Sequence, residues 1–428
     1  MSAIAITTPA TKALFQRTQH VGDIPIVGTY TFASACHIEA SFNGGAYVRI
    51  ATLSSGTGQP YSGTLSAQAQ GQGTLTVRFE EDQATSASVT LIGIGELLVA
   101  AGQSNMSGRY TNPQSVSSTD GFTAVEYNDA GVWATLADPY TADTSSGSFL
   151  PRLATLLMNT YHVPVGVVPA PPIGGTGWTS WIPGGSGHTD ITTLYGAMNV
   201  RMAALGSIPR AVMMWDGETD ALVPRSQAAV QADMNTFVDA VYADRGAKTM
   251  ICKLQICTGI TDSDTAKVRA AAAAVWVGNA HALTGPDFSD MMSDDAYHFI
   301  TDPHCQTVAQ RWADALLPLL TSPSASISAS PSPSVSSSPS ASLSPSSSTS
   351  PSISLSPSPS ASISPSPSPG SSLSVSPSVS PSISASPSRS QSPSASESAS
   401  ISPSASASRS PSPSPGLPRA SPDTGVIC

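Results

Sequence analysis

Between Glu96 and Leu320 the chain alternates short apolar runs with longer helical patterns, and no other feature restricts the fold as tightly. LLVAA, VPVGVVPA, RAVMMW and TMICKLQIC read as strands, and FLPRLATLLMNTYH, YGAMNVRMAAL, Gln227 to Asp244 and AKVRAAAAAVWVGNAHAL as helices. Strands joined through helices must run parallel, so this order predicts an α/β domain over residues 96–320, a parallel sheet with helices on both faces. The last helix is marked by Asp302 as cap and Pro303 at its first position. Val308, Trp312, Ala315, Leu316 and Leu319 give it one apolar stripe. In open sheets of this kind, chemistry gathers beyond the carboxyl ends of the strands.

The flanking regions differ from this one. Up to residue 95 the hydrophobicity alternates with period two. In GTLTVRFEE, Leu75, Val77 and Phe79 face one way while Thr74, Thr76 and Arg78 face the other. HIEASFNGGAYVRIA holds two such runs around Asn43-Gly44-Gly45, a turn where positive backbone dihedrals are cheap. A small antiparallel, Ig-like sandwich is expected for residues 1–95, either a structural module or one that binds carbohydrate on a sheet face. Residues 321–428 are almost pure Ser, Pro, Ala and Ile. Proline at this density denies helix and sheet, so an extended, disordered stalk is expected, ending in the different sequence GLPRASPDTGVIC.

Composition excludes several partners. The chain carries a net charge of −10, and the tail holds three arginines (Arg389, Arg409, Arg419) against Glu397 and Asp423. The body is therefore strongly acidic, which argues against nucleic acid. No run approaches the roughly 18 apolar residues of a membrane helix. The N-terminal MSAIAITTPATKALFQRTQH has no apolar core of a signal peptide. With the stalk, this points to a protein displayed outside a cell or on a virion. The five cysteines are scattered without zinc-ligand spacing, and Cys252 and Cys257 read as strand residues.

Three predicted strands end in unusual sequences: LLVAA in GQSNMSG, VGVVPA in PPIGGTGWTSW, and RAVMMW in DGETDA. A parallel sheet would bring these onto one edge. SDDAYHFITDPH follows before the last helix. Ser104 at a strand-to-helix turn has its hydroxyl clear of the backbone and its N–H at a helix start, where negative charge is favoured. Serine needs a base. His298 supplies one, and Asp295, three residues before it, can set its tautomer and stabilise the imidazolium. Asp294 and His304 are rivals at less suitable spacing. Gly175, without a Cβ, can offer its N–H to a developing oxyanion, though Gly174-Gly175 also suits an ordinary turn.

GQSNM after an apolar strand resembles the nucleophile block of the SGNH, or GDSL-like, hydrolases, and more narrowly their sialate O-acetylesterase and acetylxylan esterase branch. The blocks follow in that family's order: GQSNM at Ser104, IGGT at Gly175, WDGE at Trp215 to Glu218, and Asp295 with His298. The resemblance spans roughly residues 89–320. It implies a flavodoxin-like three-layer fold and removal of acetyl groups from a glycan by a Ser-His-Asp triad, with no metal or cofactor. One position departs. The family has glutamine, an oxyanion donor, where this chain has Asp216. An ionised aspartate accepts but cannot donate. Three outcomes are open: burial keeps Asp216 protonated, its side chain points away, or the enzyme is slow. A second reading makes the chain a glycan-binding or structural appendage on an impaired esterase fold, with Asp216 as the lesion. Gln103, Asn105, Trp178, Trp181 and Glu218 are expected around the substrate. The tryptophans either stack on sugar or belong to the core, and Glu218 either meets substrate or braces loops.

Overall fold

The computed structural model describes residues 1–140, 146–170, 175–185, 188–223 and 225–321. Apart from Thr321, the expected stalk lies outside these residues, as do Ile173 and Gly174. The fold is mixed α/β. Eight strands come first: β1 (Ala3–Thr8), β2 (Leu14–Gln16), β3 (Val21–Phe32), β4 (Cys36–Phe42), β5 (Val48–Leu53), β6 (Gly56–Ala69), β7 (Gly71–Phe79) and β8 (Ser86–Gly102). The short helix α1 (Ser104–Ser107) and the strands β9 (Val125–Tyr127) and β10 (Trp133–Thr135) follow. The remainder is α2 (Leu150–Tyr161), β11 (Val165–Pro169), α3 (Leu194–Ala203), β12 (Ala211–Trp215), α4 (Glu218–Leu222), α5 (Gln227–Arg245), β13 (Thr249–Lys253), α6 (Asp262–Gly278), β14 (Ala282–Asp287) and α7 (Asp302–Thr321).

Strand β8 organises both halves. Its first residues pair antiparallel with β7, from Ser86 opposite Arg78 to Ile94 opposite Gly71. Its last residues pair parallel with β11 on one side and β12 on the other. β13 and β14 continue the parallel run beyond β12. In chain order these five parallel strands lie 2-1-3-4-5 across the sheet, with β8 as the first. This is a doubly wound order whose direction reverses at β8. Right-handed crossovers then put α2 on one face and α3, α5 and α6 on the other. The packing agrees: α2 lies against α7, while α3, α5 and α6 pack in series.

A second sheet, β1-β3-β6, covers the amino-terminal part. Ile24, Ile26, Tyr61 and Leu65 from it meet Ile38, Ala40, Leu75, Val77, Phe79, Ile92 and Ile94 in one buried core. Leu97 to Ala101, farther along β8, belong to the other, larger core. The boundary expected between residues 95 and 96 therefore falls inside a continuous strand. At that point Glu96 is fully buried, with Arg17 Nε at 2.5 Å and Arg210 Nε at 2.7 Å.

Several local readings change. The run read as one helix to Leu283 divides, because α6 stops at Gly278 and Ala282 begins β14. TMICKLQIC is a strand only to Lys253, so Cys257 lies past its end. Cys36, Cys252, Cys257 and Cys305 are free and buried. Asp302 is the first residue of α7, and its carboxylate accepts from Asn112 and Gln114. The turn at Asn43 and Gly44 does adopt positive φ, 51° and 76°. No helix among the described residues is long and apolar enough to cross a membrane.

Candidate active site

The strand ends meet as the parallel register requires. Trp215, last in β12, sits opposite Gly102, last in β8. Gly102 has φ +142°, and a Cβ there would lie 2.0 Å from the Trp215 carbonyl oxygen, so only glycine fits. Gln103 N then donates to that same carbonyl at 3.0 Å, and the chain turns into α1 with Ser104 as its first residue.

Ser104 Oγ lies 2.9 Å from His298 Nε2, and His298 Nδ1 lies 3.0 Å from Asp295 Oδ2. The other Asp295 oxygen accepts from Tyr297 N at 2.7 Å and His298 N at 2.6 Å. Burial alone would raise the Asp295 carboxyl, but the Tyr297 and His298 hydrogen bonds outweigh it and hold it below the usual range. An ionised Asp295 keeps the proton on Nδ1, leaving Nε2 to accept the serine proton. His304 is held elsewhere. Its Nδ1 pairs with Asp294 Oδ2 at 2.8 Å, and its ring packs on Phe299.

Gly175 has φ +77° and open space where a Cβ would stand. Its loop leaves the carboxyl end of β11, next to β8, and is anchored beyond by Asp220, which accepts from Trp178 N at 2.9 Å. Arg225 pairs with that carboxylate at 2.6 Å.

Asp216 is 1% exposed. Its Oδ2 accepts from the Trp181 indole N–H at 2.9 Å, and its Oδ1 is buried without a partner among the described residues. Burial, with Glu218 and Asp220 close by, pushes its carboxyl well above the usual range. Burial therefore favours the neutral acid over the ionised aspartate, and the side chain is turned to Trp181.

The residues expected to line the substrate are placed otherwise. Trp178 and Trp181 are fully buried, each edge-on to Phe237, so neither presents a face to a sugar. Gln103, Asn105 and Glu218 are buried too, and the two amides both bond to Glu218. Glu218 Oε1 accepts from Asn105 Nδ2 at 2.7 Å and Gln255 Nε2 at 3.1 Å, and Oε2 accepts from Gln103 Nε2. Burial raises the Glu218 carboxyl, against the pull of these donors. Gln255 escaped the sequence reading. Its signal was a lone amide in the apolar LQIC, two residues past the end of β13. Among the described residues no cluster of His, Cys, Asp and Glu is arranged to hold a metal ion.

A family model described as carbohydrate esterase, sialic acid-specific acetylesterase, matches residues 95–318, just over half of the chain. The chain belongs to this family. It is a carbohydrate acetylesterase, as its family is. Among solved structures, the esterase resembles a carbohydrate acetylesterase from Xanthomonas citri at 19% identity and TM-score 0.51, over 74% of this chain and 75% of that one. It also matches an Arabidopsis thaliana protein at 18% identity and TM-score 0.41, over 52% of this chain and 98% of the other. A family two carbohydrate esterase from Cellvibrio japonicus matches at 12% identity and TM-score 0.32, over 75% and 99%. The first likeness bears on fold alone. No curated protein matches the chain.

Proposed function

We propose that the esterase removes O-acetyl groups from a glycan through an acetyl-enzyme on Ser104. The observation that carries this reading is the chain of contacts from Ser104 Oγ through His298 to Asp295, at 2.9 and 3.0 Å. His298 Nε2 takes the hydroxyl proton as Ser104 Oγ bonds to the acetyl carbon. The oxyanion is held by the N–H groups of Ser104 and Gly175. Collapse breaks the ester bond, and His298 passes its proton to the departing sugar oxygen. A water then gives a proton to His298 and attacks the acetyl carbon. Acetate leaves, and the proton returns to Ser104 Oγ. Asp295 stays ionised throughout and stabilises the imidazolium.

Ser104→Ala tests this directly. It is expected to abolish release of 4-nitrophenol from 4-nitrophenyl acetate while leaving thermal unfolding unchanged, and undiminished turnover would refute the assignment. The substrate is an acetylated sialic acid, xylan or bacterial surface polysaccharide, and acetate release from each distinguishes them. The Ser/Pro-rich composition of residues 321–428 supports display outside a cell or on a virion, which fractionation of medium and particles tests.

A further inference from the structure

We propose that Asn105 is a positioning residue that sets the reach between Ser104 and His298, and that Glu218 fixes which way its amide faces. The inference rests on the reading of Ser104 and His298 as the reacting pair. Asn105 directly follows Ser104, yet its side chain grips the backbone on both sides of His298. Its Oδ1 accepts from Phe299 N at 3.2 Å, and its Nδ2 donates to the Tyr297 carbonyl at 3.1 Å. The nucleophile turn and the histidine loop, 194 residues apart in sequence, are thereby tied together within one residue of each reacting group.

An amide can sit either way round, and only one orientation works here. Reversed, its oxygen would face the Tyr297 carbonyl and its nitrogen the Phe299 N–H. Glu218 selects the working orientation, because both of its oxygens accept from side-chain amides and one of them lies 2.7 Å from Asn105 Nδ2. Gln255 repeats the pattern, with Nε2 donating to Glu218 at 3.1 Å and to the Tyr297 carbonyl at 2.8 Å. Gln103, on the other side of Ser104, donates to the second Glu218 oxygen. One buried carboxylate thus addresses both neighbours of the nucleophile and, through Asn105 and Gln255, the residue before the base. Asn105 is 2% and Glu218 4% exposed, which keeps both from substrate. A displacement near 1 Å between reacting groups lowers rate by about 100-fold, so this link acts on kcat.

The test uses the full-length chain with 4-nitrophenyl acetate, reading kcat, KM and thermal unfolding. Asn105→Asp keeps the acceptor for Phe299 N but sets an oxygen against Tyr297 O and Glu218. It is expected to lower kcat by about 100-fold, with KM changed by less than about threefold. Adding Glu218→Gln supplies an amide donor to the new carboxylate, and Asn105→Asp/Glu218→Gln is expected to recover about tenfold or more of kcat. A role in stability alone would not give this polarity-dependent rescue. Asn105→Asp with kcat near wild type, or a double variant no faster than the single, overturns the proposal. Should Asn105→Asp not fold, Asn105→Ser takes its place: a kcat lowered at unchanged KM supports the link, and an unchanged kcat overturns it. A wild type that releases no 4-nitrophenol would instead bring down the esterase reading of Ser104, and this inference with it.

Discussion

Asp294 and Asp295 are adjacent, yet each holds a different histidine: Asp295 takes His298 at 3.0 Å and Asp294 takes His304 at 2.8 Å. Asp294 also accepts from Ile300 N at 2.7 Å and Thr301 N at 3.0 Å, closing the loop that presents His298. One carboxylate serves the base, and its neighbour serves the loop. Asp295→Asn is expected to lower kcat by about 10³- to 10⁴-fold with little change in thermal unfolding. Asp294→Ala is expected to lose about 1–3 kcal/mol of stability and less activity than Asp295→Asn. Chemical denaturation and steady-state kinetics on both variants check this, and the reverse pattern would refute the division of roles.

The same pair sets an acid limit. Burial opposes ionisation at both sites, but hydrogen bonds outweigh it: from His304, Ile300 and Thr301 at Asp294, and from Tyr297 and His298 at Asp295. Both folded carboxyls therefore titrate below the ordinary 3.8. The stabilisation is present above that value and is lost as pH falls through the lower folded ones, and it comes mainly from the enclosed Asp294, because solvent screens the 46% exposed Asp295. Melting temperature is expected to fall steeply below about pH 4, and Asp294→Asn is expected to flatten that fall. A variant with the wild-type acid profile would count against it.

Asp216 has the opposite sign. Its folded carboxyl stays protonated far above the ordinary 3.8 because it is buried beside Glu218 and Asp220. The unfolded chain ionises freely there, so stability declines as pH rises above that value. Asp216→Asn keeps an acceptor for Trp181 Nε1 and cannot ionise. Its melting temperature relative to wild type is expected to rise between pH 5 and pH 8, measured by differential scanning calorimetry. A constant difference would show that Asp216 is ionised at neutral pH.

Glu96 is the clearest point of vulnerability. It is fully buried and pairs with Arg17, itself 3% exposed, and with Arg210. Glu96→Gln leaves both guanidinium groups without their counter-charge, which destabilises by about 3–5 kcal/mol. Urea titration followed by tryptophan fluorescence gives the number. A loss below about 1 kcal/mol would place this pair with surface ion pairs.

Much of the site was legible because its parts lie just past strand ends. Ser104, Asp216 and the Asp295–His298 spacing could each be located from an apolar run that stops or a fixed offset before the last helix. The misreadings share a physical cause, since sequence reports residue type but not enclosure. Trp178 and Trp181 look like sugar platforms in GWTSW, yet Phe237 from α5 covers both. Gln103, Asn105 and Glu218 look like polar substrate ligands because polar residues are rarely buried, but here each is partnered by another. Strand β14 was missed because Ala282 and Leu283 continue an alanine-rich helical pattern, and its pairing with β13 is settled by tertiary contact.

The continuity of β8 bears on how such a chain can be taken apart or inherited. The family match begins at residue 95, where β8 runs on unbroken. A catalytic piece excised at that point would keep Glu96 without Arg17. It would also keep the Leu97 N–H without the Gln16 side chain that accepts it at 2.8 Å. Exchange of the amino-terminal sheets between relatives would therefore have to carry β2 and the whole of β8 along, so the part that passes between proteins as a unit is larger than the part that does the chemistry.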